Sequence, residues 1–187
     1  MKYIIVSFYT NSPKYIKYGE NLKKQLSLYN LNFEIDFLDF HHDTKLENCL
    51  FKSQFILDKL LKHKTTLIWM DIDSIINSDP TNDINRLIIQ QFDVGLVYTP
   101  ERLHPVSDAI HIYKYKDTTI RFLKYRDKIN KSGTLTLAHR SLDQTFNEYK
   151  NRLQIINIRK YINTWFKAVF SANDSILEYK TAVRRKL

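Results

Sequence analysis

The sequence predicts an α/β fold in a single domain, with a mixed, mostly parallel sheet flanked by helices. Three observations carry this expectation. Apolar runs of strand length alternate with longer segments of helical spacing, the pattern of stacked strand–helix units. The chain has 187 residues, which suits one domain. At 43% hydrophobic and 13% aromatic, it holds ample material for a core and does not have the composition of a disordered chain.

The elements follow in order. Lys2 to Tyr9 reads as a buried strand, because Tyr3, Ile4, Ile5, Val6 and Phe8 are nearly continuous. Thr10-Asn11-Ser12-Pro13 breaks it and can open a helix. Tyr15 to Tyr29 has helical spacing, with Tyr15, Tyr18, Leu22, Leu26 and Tyr29 on one side. Phe33 to Phe40 predicts a second strand, and Glu47 to Lys62 a second helix with Leu50, Phe51, Phe55, Leu57, Leu60 and Leu61 on its apolar side. Thr65 to Met70 is a third strand and Phe92 to Tyr98 a fourth, ended by Thr99-Pro100. In the second half, Ala109 to Tyr115 reads as a strand, and Thr118 to Asn130 as a basic amphipathic helix. A further helix begins at Ser141, and Leu153 to Ile158 is the last strand. Beyond Tyr161 there is no dependable pattern, and no internal repeat or low-complexity linker is present.

Composition excludes several classes. The single cysteine, Cys49, rules out an internal disulfide framework and a cysteine-based zinc cluster. Gly19, Gly95 and Gly133 are too few and too scattered for a Walker A loop or a dinucleotide fingerprint, which need clustered backbone N–H groups. The amino-terminal apolar run is too short for a signal peptide, and no stretch approaches membrane-spanning length. The expected location is therefore the cytoplasm, of a bacterium or a large virus. Charge is uneven: residues 1–80 balance 10 Lys against 10 Asp/Glu, while residues 81–187 carry 19 Lys/Arg against 10 Asp/Glu and hold every arginine. A basic half beside an acidic pair suits an anionic ligand or an anionic membrane surface, and equally a solvated surface.

That pair is Asp71 and Asp73, in Trp69-Met70-Asp71-Ile72-Asp73-Ser74, placed where the third strand runs out into a loop. With 14 Asp in the chain, roughly one Asp-x-Asp is expected by chance, so the spacing gains meaning only from its surroundings. Those surroundings are the apolar run Thr66-Leu67-Ile68 before it and Asp79-Pro80 after it. In open α/β sheets ligands collect at the carboxyl ends of strands, and two hard oxygen donors there suit Mg²⁺ or Mn²⁺ shared with phosphates.

An apolar strand, Asp-x-Asp, a short spacer and Asp-Pro resemble the nucleotide-sugar-binding motif of GT-A fold glycosyltransferases, in the nucleotide-diphospho-sugar transferase group. Lys52 on the preceding helix, Phe92-Asp93-Val94-Gly95 opening the next strand and Leu142-Asp143-Gln144-Thr145-Phe146 fall in the order of that family, and the resemblance spans roughly residues 3–158. It implies a metal-dependent transfer of sugar from a nucleotide-diphosphate sugar, UDP-linked by preference, to a glycan, a lipid-linked sugar or a protein. Nucleotide-sugar binding would fall in residues 1–100 and acceptor binding and catalysis in residues 101–187. Asp73 would bind Mn²⁺ or Mg²⁺, with Asp71 on the ribose or on the metal. Phe8, Tyr9 and Thr10 would hold the nucleoside, Lys52 the ribose or diphosphate, and Asp143 and Gln144 the sugar or acceptor. The family's late histidine is missing, and Asp174 or Asn173 stands where an oxygen ligand could replace it.

Plainer readings compete with these. Asp73 or Ser74 can cap a turn, Lys52 can face solvent, and Asp143 can serve the helix dipole. His41-His42-Asp43 lacks a further ligand at zinc spacing. His104, His111 and His139 read as surface or cleft residues, and Trp69 as core. The tail Arg184-Arg185-Lys186 could touch anionic lipid. Two other functions fit less well. A metal-dependent phosphoryl-transfer or nuclease domain of the haloacid-dehalogenase kind needs the pair at its first strand, not its third. A nucleic-acid-binding module would use the +9 charge but lacks an RNA-binding motif, so no stable nucleic-acid partner is expected.

Overall fold

The computed structural model describes residues 2–39, 45–100, 105–132 and 138–168. The chain runs β1 (Tyr3–Thr10), α1 (Pro13–Leu28), β2 (Phe33–Leu38), α2 (Lys45–His63), β3 (Thr66–Met70), β4 (Ile75–Ile76), α3 (Thr81–Ile88), β5 (Val94–Tyr98), β6 (Val106–Tyr113), α4 (Asp117–Lys131), α5 (Ala138–Tyr149), β7 (Ile155–Asn157), α6 (Arg159–Ile162) and β8 (Phe166–Lys167). Six strands form one sheet in the order β2-β1-β3-β6-β5-β7. Both neighbours of β1 and the β5–β7 pair are parallel, and β6 alone runs against its neighbours β3 and β5. The mixed, mostly parallel sheet is the one the sequence predicts.

Strand alternation builds two cores. In β3, Ile68 and Met70 face a layer that includes Leu22 and Leu26 of α1 and Ile84, Leu87 and Ile88 of α3. Leu67 and Trp69 face the other way, onto Phe55, Ile56 and Leu60 of α2 and Phe122 and Leu123 of α4. Two glycines permit close approach. A Cβ on Gly19 would meet the Tyr9 ring at 2.6 Å, and one on Gly95 would meet Ile158 Cγ2 at 2.8 Å.

The sequence reading needs three corrections. The strand expected over Ala109–Tyr115 spans Val106–Tyr113, since its first residues pair with Val97 and Tyr98. Helix α3 was not foreseen: at 8 residues it is held by three buried side chains on one face, and Asp79 accepts the Thr81 N–H at its start. Residues 162–168 are also structured. Phe166 pairs with Ile76, and Trp165 is only 1% exposed. A two-residue ladder is not stable by itself, so burial of Ile76 and Trp165 holds β4 and β8 together.

Candidate active site

The carboxyl ends of β1, β3 and β5 lie along one rim of the sheet, where β6 also begins. Asp71 is the first residue past β3, and its N–H donates to the Ala109 carbonyl at 2.8 Å. The Ser74 N–H donates to the Asp71 carbonyl at 3.0 Å, which closes a turn through Ile72 and the half-buried Asp73. Asp71 continues the alternation of Leu67 and Trp69, so its side chain falls on the α2 side of the sheet.

There it meets Lys52, which is 6% exposed. Lys52 Nζ donates to Asp71 Oδ1 at 2.6 Å and to the Asp108 carbonyl at 3.0 Å, and it lies 3.2 Å from Asp108 Oδ2. The Trp69 indole N–H also donates to Asp71 Oδ1, at 3.1 Å. Asp108 in turn accepts from Nη2 of the fully buried Arg126 at 2.8 Å. Behind it, His111 Nε2 lies 2.9 Å from the Ser107 carbonyl and 3.5 Å from Asp108 Oδ1. Both neighbours are acceptors, so Nε2 carries the proton and Nδ1 accepts from the Tyr113 hydroxyl at 3.0 Å. An irregularity in β6 brings Asp108 here: Leu96 pairs with His111 but Val97 pairs with Ser107, so residues 108–110 leave the β5 ladder.

Burial is the first influence on all these groups. It raises Asp71 above the ordinary carboxylate value, with Asp108 adding to the rise and Lys52 opposing it. For Asp108 burial is outweighed by Arg126 and Lys52, which hold it well below the usual range. Burial pushes His111 down to about 3, against the pull of Asp108, so the imidazole is neutral at physiological pH. In the unfolded chain this histidine titrates near its ordinary value of about 6.5. Stability is therefore full above that value and is lost as pH falls toward the folded value, by up to about 1.4 kcal/mol per pH unit. Urea unfolding between pH 7 and pH 4 should show a steeper decline for wild type than for His111→Gln, and equal slopes would remove His111 as the cause.

The structure places the expected residues unevenly. Asp71, Lys52 and Trp69 come together, and Lys52 is buried rather than facing solvent. Phe8 lies in the core against Phe51, Phe55 and Trp69, so it turns away from the rim. The Tyr9 ring packs on Gly19 and Phe37, and its hydroxyl accepts from Lys23 at 3.1 Å. Thr10 is 3% exposed, and its hydroxyl has no hydrogen-bond partner among the described residues. Asp143 Oδ1 accepts the Val106 N–H at 3.1 Å, which brings α5 to the start of β6, two residues from Asp108. Gln144, the next residue on that helix, is exposed. Asp93, at the other end of the sheet, binds Lys116 and the Gln154 N–H and serves the fold. His111 is fully buried, not a surface residue. Asn173, Asp174, the basic tail, His41–Asp43 and His104 lie outside the described residues. Asp108, Arg126 and His111 belong to the site although no motif marked them.

A divalent cation can be tested against this donor set. No group of three or more His, Cys, Asp or Glu side chains that could hold a metal exists among the described residues. Asp71 and Asp73, at the end of β3, are the hard oxygens the sequence puts forward at the rim. That set does not make a protein cage, but it fits Mg²⁺ or Mn²⁺, which take one or two carboxylates and complete their shell with water and phosphate oxygens.

No protein-family model and no curated protein sequence matches the chain. Solved structures do. A glycosyltransferase involved in the glycosylation of the major capsid of PBCV-1 superposes with a TM-score of 0.66 at 14% identity, covering 94% of this chain and 98% of that one. The chain has a glycosyltransferase fold. The apo-form of glycosyltransferase GlyE from Streptococcus pneumoniae TIGR4 matches with a TM-score of 0.52 at 11% identity, over 85% of this chain and 45% of that one. A second GlyE structure gives 0.52 at 13% identity, over 82% and 44%. The GT-A-like architecture expected from the Asp-x-Asp segment is thus the architecture present. No described helix is long and apolar enough to cross a membrane.

Proposed function

We propose that the protein is a metal-dependent glycosyltransferase that moves a sugar from a nucleotide-diphosphate sugar, UDP-linked by preference, to a hydroxyl acceptor. One observation carries the reading. In a fold shared with glycosyltransferases, Asp71 is anchored through Oδ1 by Lys52 and Trp69 yet keeps 30% of its side chain exposed at the sheet rim, with Asp73 two residues on. Asp73 and Asp71 would hold the cation, which when bound stabilises the negative charge that grows on the departing diphosphate. The end of β1 lies along the same rim, where the half-buried Tyr9 would meet the nucleoside and the buried Thr10 would shape the floor. Asp143 and Gln144, carried to the rim by α5, face the sugar or the acceptor, and a base there must reach the acceptor hydroxyl within hydrogen-bond distance.

A hydrolysis screen across UDP-, GDP- and CMP-sugars tests the reading. Release of UDP that needs Mn²⁺ or Mg²⁺ and stops with a chelator supports it. Phosphate release from simple phosphoesters, with every sugar nucleotide intact, would favour phosphoryl transfer instead.

The acceptor is a glycan, a lipid-linked sugar or a protein. Contact with an anionic membrane is supported by α4, where Arg121, Lys124, Lys128 and Lys131 recur at helical spacing and are all exposed. The groove at the start of α4, about 290 Å³ and lined by Thr118, Arg121, Tyr149, Arg152 and Leu153, adds Arg152 to that surface. Cosedimentation with phosphatidylserine-containing vesicles should exceed that with neutral vesicles and fall with salt. Arg121→Glu with Lys124→Glu and Lys128→Glu should abolish it, and unchanged binding by that variant would discard the membrane contact.

A further inference from the structure

We infer that Asp108 and Arg126 are positioning residues of the donor site: they hold the Lys52 ammonium and through it fix the Asp71 carboxylate that the sugar nucleotide meets. The inference rests on the donor-site reading above. Lys52 has three N–H groups, and three acceptors surround Nζ: Asp71 Oδ1, the Asp108 carbonyl and Asp108 Oδ2. It also lies 5.2 Å from the centroid of the Trp69 ring. A lysine so enclosed, only 6% exposed, is turned to the protein's own acceptors. It acts as a strut between β3 and β6 rather than as the phosphate cation the sequence suggests.

Arg126 cannot touch a ligand, because it is fully buried. Its Nε and Nη1 have no hydrogen-bond partner among the described residues, so its charge meets Asp108 through Nη2 on Oδ1 at 2.8 Å, with the Tyr113 hydroxyl beside it. Without the Asp108 carboxylate, Lys52 keeps only the residue-108 carbonyl on its far side, so its long side chain regains rotamers and Asp71 is held less firmly. Formal charge sharpens the argument. Asp108 and Arg126 together sum to zero, so removing both leaves the charge near the donor unchanged. Any loss of nucleotide affinity from the pair then reports orientation.

The test is a double-mutant cycle on the full chain, read by calorimetric titration of UDP with Mn²⁺. Its four proteins are wild type, Lys52→Met, the pair Asp108→Leu with Arg126→Met, and the three changes combined. The pair should weaken binding about three- to tenfold and Lys52→Met about tenfold or more, while the combination binds no worse than Lys52→Met alone. A pair that binds as wild type does, or losses that multiply in the combination, would overturn the positioning role and leave the donor-site reading standing. A wild type that binds no UDP with Mn²⁺ removes the donor-site reading, and this inference with it. Near-UV circular dichroism checks folding. If the pair does not fold, Arg126→Lys takes its place in the cycle, since it keeps the charge but shortens the reach.

Discussion

Asp108→Ala is expected to destabilise the protein by about 3–5 kcal/mol, the cost of leaving one charge of a buried pair uncompensated. Arg126 is 0% exposed, and Asp108 is its ionic partner at 2.8 Å. Removing the carboxylate leaves a guanidinium with no counter-charge in contact among the described residues, and leaves Lys52 with the residue-108 carbonyl but without the carboxylate oxygen 3.2 Å away. Replacing Asp108 by Leu and Arg126 by Met together should recover most of the loss, because neither charge is then buried alone. Urea unfolding at pH 7 of wild type, the single variant and the double variant measures both effects. The sign of the pH dependence follows from Asp108 lying below its unfolded value. Its contribution is complete above the ordinary carboxylate range and is lost as pH falls from that range toward the lower folded value. Equal losses in the single and double variants would mean that the carboxylate contributes by shape rather than by charge.

Asp73→Ala should act in the opposite way, with a small effect on stability and a large one on chemistry. Asp73 sits half-buried in the turn after β3, two residues past the Asp71 that Lys52 holds. Its removal should shift stability by no more than about 1 kcal/mol. Metal-dependent release of UDP from a UDP-sugar should fall at least about a hundredfold, since a cation at a leaving diphosphate is worth several kcal/mol. Asp71→Asn provides the contrast. It keeps the shape of the side chain but gives up the charge that Lys52 pairs with at 2.6 Å, so both stability and activity should drop. An Asp73→Ala enzyme that retains full, chelator-sensitive activity would move the cation elsewhere.

The main strands and helices were legible because each is long enough for its apolar period to show. The short elements were not. Helix α3 and the β4–β8 ladder exist through tertiary contacts such as Trp165, which no local pattern records. At the site, Asp71 and Lys52 could be read because the strand before one and the helix under the other are regular. Asp108 escaped notice because the register shift in β6 takes it off the alternation that would have shown its side. Arg126 left a sign that went unread: it shares the buried face of α4 with Phe122, Leu123 and Ile129. An arginine in such a stripe needs a buried carboxylate, and that carboxylate lies 18 positions away in sequence. Phe8 misled in the other direction. An aromatic side chain near a strand end suggested a ligand contact, whereas its parity with Val6 points it into the α2 core.

Calorimetric titration of UDP into the wild-type protein, with Mn²⁺ and again with chelator, tests the central claim most directly. With Asp71 and Asp73 as its protein ligands, Mn²⁺ alone should bind weakly, UDP alone weakly, and the two together at least about tenfold more tightly than UDP alone. The enhancement should vanish in Asp73→Ala. UDP affinity that is the same with and without the cation, or an enhancement that survives in Asp73→Ala, would contradict a metal-bridged donor site at Asp71 and Asp73.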